Sequence, residues 1–362
     1  MIREVHSTMN IQTLIAGLTL EDETDRIYAA EDLGHSGAAE AVAPLMERLA
    51  TEPSRKVRET IFSALERINR PEVRVHMAML LDSDDAFLRN QAVALLQRAG
   101  SAAIPVLLAR MSDADPDVRK FVLDTAAGIS SPDVEPIYDA AMHDTDINVQ
   151  IAVLEYLSQQ RKTRFKSAVE GIFLSAKEPM QVCAAFAALL QIGDTASWQT
   201  IRQRYPTAAN VPGWELGWWI RALGEYGLAG EVEVFHELLQ KHDGRVASDT
   251  IDALERFQIR HGRIEISEVF WKLLQELLQT AMPPEDKLQL LRVVGGFGAP
   301  AAIGDYLALL LGQGDRLTKL GAIEGIKRLE RPDMMARLRE RRSVETDPEV
   351  LEALGDCEGT PR

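Results

Sequence analysis

Four stretches of this sequence superimpose at a nearly constant interval, and no other feature restricts the possible folds as much. They are SRKVRETIFSALERIN (54–69), DAFLRNQAVALLQRAG (85–100), DPDVRKFVLDTAAGIS (115–130) and DINVQIAVLEYLSQQR (146–161). Val57, Leu88, Val118 and Val149 fall in register, 31, 30 and 31 residues apart, and the next residue is Arg58, Arg89, Arg119 and then Gln150. Arg26 lies 32 residues before Arg58, and Val182 lies 33 after Val149. A period in this range marks a repeat architecture. Inside each unit the apolar residues recur as i, i+4, i+7 (Val57, Ile61, Ala64; Val182, Phe186, Leu189), which is helical spacing. A partner helix recurs beside it, often opened by a proline, as in AVAPLMERLA, AAIPVLLARM and DVEPIYDAAM. Nothing alternates with the period of two that a strand needs. A hairpin of about thirty residues cannot bury its own apolar face, but a stack of such hairpins can. The expected fold class is therefore all-α, an α-solenoid of about ten stacked helical hairpins.

Composition narrows the setting. Hydrophobic residues make up 46% of the 362, enough for a continuous core, and the charge balance is 40 − 55 = −15. So negative a chain disfavours indiscriminate binding to nucleic-acid phosphates or anionic lipid. The two cysteines, Cys183 and Cys357, make no disulfide framework and fit a reducing compartment. The opening residues lack the long apolar run of a cleavable signal, and no run of about eighteen uninterrupted apolar residues suggests a membrane span. The expected location is the cytoplasm, with no membrane insertion.

The pattern in DADPDVRKFVLDTAAG and DSDDAFLRNQAVALLQRAG, an acid followed by Val/Leu-Arg and a helical stripe, resembles HEAT repeats. The short period is similar to the bacterial repeats related to phycobilin lyases. That resemblance implies a ladder between neighbouring hairpins, with acids Asp84, Asp113 and Asp144 and arginines Arg58, Arg89 and Arg119. Gln150 departs from the pattern and is expected to weaken it. The acids are also placed to cap their helices. Regular repeats are expected over residues 1–201, an irregular joint over 202–213, where Pro206, Pro212 and Gly213 break helical continuity, divergent repeats over 214–355, and a flexible tail over 356–362.

Three of the five tryptophans crowd into GWELGWWIRALGEYG (213–227). With Leu216 aligned to Val182, the stripe continues through Ile220 and Leu223, which places Trp219 between hairpins. Trp214 and Trp218 then lie opposite the stripe with Arg221 and Glu225. In HEAT-like arrays the second helices line a concave groove. The same arithmetic adds Phe62, Val93, Lys120, Leu123, Ile151 and Leu154 to that wall, with Met180, Ala184 and Ala187 further along. An apolar exposed strip marks a contact surface, and Trp and Arg are enriched at binding hot spots.

Catalytic signatures are lacking in the sequence. The seven histidines form no H-E-x-x-H helix, no cysteine knuckle occurs, and the single His236-Glu237 dipeptide does not match the several that a HEAT-type di-iron hydroxylase uses. VVGGFGAP (293–300) lacks the following Lys-Ser/Thr of a phosphate loop and reads as a helix end. Cys183 reads as a packing residue. No metal, cofactor or catalytic residue is expected. Basic residues cluster at 161–166, 256–263 and 327–342; the wider stretch 316–342 carries nine basic and four acidic residues, whereas residues 1–50 carry three and nine. This polarity fits an acidic partner segment at the basic end. The leading functional expectation is a non-enzymatic scaffold or adaptor holding a protein partner, such as an amphipathic helix or acidic segment, in the groove. Two alternatives come from resemblance: a bilin lyase or chaperone subunit, and a HEAT-like alkylpurine DNA glycosylase, which Trp214, Trp218 and Glu225 echo and which the net charge opposes.

Overall fold

A computed structural model describes residues 10–241, 244–298 and 301–355, so the expectations placed on 356–362 and on His6, His242 and Cys357 lie outside the described residues. It is helical from end to end. Among the described residues no strand occurs, and one isolated parallel bridge joins Ile264 to Phe297.

The helices alternate as first and second members of hairpins. In order they are α1 (Ile11–Gly17) with α2 (Glu23–Ser36), α3 (Val42–Thr51) with α4 (Arg55–Ile68), α5 (Pro71–Met79) with α6 (Ala86–Ala99), α7 (Ile104–Arg110) with α8 (Pro116–Ala127), and α9 (Glu135–Met142) with α10 (Ile147–Gln159). Next come α11 (Lys166–Ser175) with α12 (Pro179–Ile192), α13 (Thr195–Arg204) with α14 (Leu216–Tyr226), and α15 (Val232–Lys241) with α16 (Gly244–His261). The last three are α17 (Glu268–Gln279) with α18 (Pro284–Gly295), α19 (Ala301–Gln313) with α20 (Arg316–Leu329), and α21 (Pro332–Arg342) with α22 (Pro348–Gly355). The expected repeat architecture is therefore present, among the described residues, as eleven hairpins, an all-α solenoid arrangement within each of two compact units, residues 1–156 and 157–362. The division falls inside α10, while 202–213 takes in the last turn of α13 and most of its connection to α14, with one 3-10 turn at Ala208–Asn210.

Local chemistry starts and stops these helices. Asp22, Ser54, Asp85 and Asp115 cap α2, α4, α6 and α8 through side-chain oxygens that accept first-turn N–H groups. Prolines open α5, α8, α12, α18, α21 and α22, where a missing N–H has no cost. Residues 86–110 are long and apolar enough by composition to span a membrane. They are two helices of successive hairpins, broken at Gly100 with φ of 59° and a 3-10 turn.

The arginine ladder is real, but its rungs differ from those expected. Arg119 meets Asp144 through two bonds of 2.7 and 2.6 Å, as expected. Arg58 pairs with Asp85 at 2.8 Å rather than with Asp84, because Asp85 also caps α6 and so already faces the preceding hairpin. Among the described residues Arg89 makes no ion pair: its guanidinium lies over the Phe121 ring, and Asp113 pairs with Arg110 of its own hairpin at 2.9 Å. The capping role belongs to Asp85, Asp115 and Asp146, not to Asp84, Asp113 and Asp144. One bond runs through the series. Arg26, Arg58, Arg89, Arg119 and Gln150 all donate to the backbone carbonyl six residues earlier, on Leu20, Glu52, Ser83, Asp113 and Asp144. Gln150 thus keeps the loop bond although an amide carries no charge to pair. The first rung is Arg26 with Glu52, an acid that also holds Arg48.

Candidate partner-binding surface

The expected groove residues separate by burial. Phe62, Leu123 and Leu154 are core residues, exposed by 3%, 0% and 0%. This corrects their placement on an open wall. A second helix in a stack is flanked by second helices of both neighbours, so its buried arc exceeds the single stripe that the periodicity reveals; Phe62 packs edge-on against Phe87 of α6 with ring centroids 6.0 Å apart. Val93 and Ile151 are half-buried, and Lys120 is exposed. In the first unit the expected apolar strip is therefore largely interior.

The second unit retains it. Met180 on α12 and Trp214 just before α14 are exposed by 68% and 54%. Trp218 is half-buried and rests edge-on against Phe186 of α12, centroids 6.0 Å apart. Arg221 is exposed one turn on. Trp219 points the other way, fully buried against Trp198, and its indole N–H donates to the Tyr205 carbonyl at 3.2 Å. Tyr226 fixes α14 to α12 by donating to the carbonyls of Leu189 and Leu190, and burial pushes its hydroxyl up to about 12.

Sequence reasoning missed the groups flanking this face. Glu215, between Trp214 and Leu216, is 1% exposed, and its Oε2 has no hydrogen-bond partner. Burial raises its carboxyl above the usual range, more than the Tyr205 hydroxyl and Arg204 can offset. Burial of Cys183, with the Glu215 charge nearby, raises its thiol above the usual range. On the other flank, Asp249 of α16 occupies the space left by Gly217, where a Cβ would stand 3.0 Å from its Oδ2. Burial raises this carboxyl too; Arg245 opposes the shift, and Asp252 and Asp286 add to it. In the sequence Glu215 looks like an ordinary first-turn acid and Asp249 like a surface one. Only the spacing Trp-x-x-Gly-Trp hinted that a small residue opens α14 toward its neighbour.

The basic stretch over 316–342 is mostly spoken for. Seven of its nine cations sit in ion pairs, among them Arg316 with Glu349, Lys319 with Glu345, Arg328 with Glu255 and Arg337 with Asp305. An acidic partner docking there would have to compete with these acids. Glu225 pairs with Arg256 at 3.0 Å. Among the described residues no group of three or more His, Cys, Asp or Glu side chains could hold a metal ion. His236 stacks on Phe270, and Gly295 of the glycine-rich stretch ends α18 pressed against Gly325 of α20.

Stacked helical hairpins with interlocking arginines and a solvent-facing apolar strip define an α-solenoid repeat protein. The HEAT-repeat family matches residues 11–97 and 104–189, and over those residues the chain is a HEAT-repeat protein. No curated protein matches the chain. Among solved structures, the complex of CpcE and CpcF of phycocyanin lyase from Nostoc sp. PCC7120 is 18% identical with a TM-score of 0.27, over 72% of this chain and 97% of that one. Kap121p is 13% identical with a TM-score of 0.44, over 96% of this chain and 41% of its own. Likenesses this distant carry no function across.

Proposed function

We propose that the chain is a non-enzymatic scaffold or adaptor that holds a segment of a partner protein, an amphipathic helix or an extended stretch, on the second-helix face of residues 157–362. The observation that carries this reading is the pairing of exposed Met180 and Trp214 with half-buried Trp218 on adjacent helices. Large apolar side chains left in water cost free energy that a partner recovers by covering them. Tryptophan is also the residue type that most often dominates binding energy. HEAT repeats commonly serve this role.

A photo-crosslinking amino acid in place of Trp214 should capture a protein partner that the same residue in place of exposed Lys272, on α17, does not. Equal capture at both positions, or none at 214, removes the reading. The chromophore alternative predicts visible absorbance in the purified protein. The glycosylase alternative predicts tight binding to alkylated duplex in a low-salt gel shift; the net charge of −15 and the engagement of Glu225 by Arg256 weigh against it.

A further inference from the structure

If this face docks a protein segment, the groups around Trp214 also select the segment's charge, and that selection rests on the docking itself. The first turn of α14 ordinarily attracts anions, because its free N–H groups point outward. Here that end carries carboxylates on both flanks. On the α12 side, Glu215 is buried with Oε2 unpartnered. On the α16 side, Asp249 fills the Gly217 notch, and the nearest cation is Arg245, 4.0 Å away on a side chain 93% exposed.

Three other acids with little exposed side chain, Glu52, Asp144 and Glu345, are neutralised closely. Glu52 holds Arg26 and Arg48, Asp144 holds Arg119, and Glu345 holds Lys319 and Arg341. Nearby acids do not relieve Asp249: Asp252 is bound to Arg256, and Asp286 accepts from Ser248. Arg221, exposed a turn beyond Gly217, bounds the negative region on that side. Exposed Trp214 stands three residues before Gly217, and an indole and an under-neutralised carboxylate are the two groups that hold an ammonium or guanidinium, the one by cation–π attraction and the other by charge pairing.

We propose that this face takes a lysine- or arginine-bearing segment of its partner, the cationic head lying on Trp214 and pairing with Asp249, the adjoining apolar residues covering Met180 and Trp218. Gly217 is the specificity element, because a side chain there would displace the Asp249 carboxylate, whose Oδ2 a Cβ would meet at 3.0 Å.

Fluorescence anisotropy tests this with the full chain and two labelled peptides, one alternating leucine with lysine, the other leucine with glutamate. The lysine peptide should bind and the glutamate peptide should not. Trp214→Ala and Asp249→Asn should each weaken the lysine peptide about tenfold. Glu276→Gln, which removes the same charge from an exposed site on α17, should leave binding unchanged. Trp214 is exposed and Asp249 is disfavoured as an anion, so neither change threatens folding, and circular dichroism confirms this. Lysine-peptide binding indifferent to both face variants overturns the proposal, as does Trp214-dependent binding of the glutamate peptide; the second result leaves the docking face standing. If neither peptide binds, the charge inference falls, and docking falls with it only when crosslinking at 214 also fails. Alkylated duplex whose binding is lost in Trp214→Ala would reassign the cation site to a nucleobase and equally overturn the proposal.

Discussion

Glu215 is a carboxylate that the fold tolerates rather than uses. Its folded-state value is raised above the ordinary 4.5, so the folded protein binds a proton more readily than the unfolded chain. Stability tied to it falls as pH rises above 4.5 and is lowest above the raised value. Glu215→Gln should therefore raise the stability measured by urea unfolding at pH 7.5 by about 1 kcal/mol, a gain that shrinks toward pH 5. Arg119 and Asp144 behave oppositely, with side chains only 9% and 5% exposed. Arg119→Ala strands a buried acid and should cost about 3 kcal/mol in the same measurement. At this scale the sequence disclosed positions better than partners. The arginines stood out by period, but whether Asp84 or Asp85 answers Arg58 depends on which acid caps the next helix, a difference of one residue. Phe62, Leu123 and Leu154 misled for a different reason: a helical wheel drawn for one helix omits the neighbours that cover its flanks. Glu215 and Asp249 gave no signal, since each is buried by a neighbouring hairpin, Glu215 near Cys183 of α12 and Asp249 against Gly217 of α14.

Among elements, the close approach of α18 to α20 depends on glycine. A Cβ on Gly295 would collide with the Gly325 carbonyl oxygen, so Gly295→Ala must push the helices apart. A loss of about 3 kcal/mol by denaturant unfolding is expected, and a loss under half of that would mean the helices slide freely. The end of the array rests on Glu345, which accepts from Arg341, Lys319 and the N–H groups of Thr346 and Asp347 and is held down at about 2. Its folded value lies below the ordinary 4.5, so its contribution is complete above 4.5 and is lost as pH falls toward 2. Amide exchange in α21 and α22 should accelerate across that window, and Glu345→Gln should reproduce the acceleration at neutral pH. Helix existence was readable throughout from the 3.6-residue period. The glycine-rich stretch at 293–298 was readable only as a helix end; that it presses one helix on another requires knowing which helix lies alongside.

For the whole molecule, the chain reads as a series of neighbours rather than as one cooperative globule. Arg119→Ala should increase amide exchange in α7 through α10 and leave α18 and α20 unchanged; a uniform increase along the chain would contradict nearest-neighbour coupling. Repeat architecture was the most legible property, because thirty-odd residues between equivalent arginines dictate hairpins of one size. The eleven hairpins of the described residues agree with the expected number of about ten; boundaries were harder to read where the later first helices drift from the pattern. The bond from each ladder residue to the carbonyl six positions back needs one N–H donor and no charge, as Gln150 shows. Loop shape and adhesion between hairpins are thus set by separate atoms of the same side chain. Mutation can trade arginine for glutamine and soften one seam without deforming the turn that delivers the following helix. A lineage of such chains could tune where the array flexes while every building block keeps its outline.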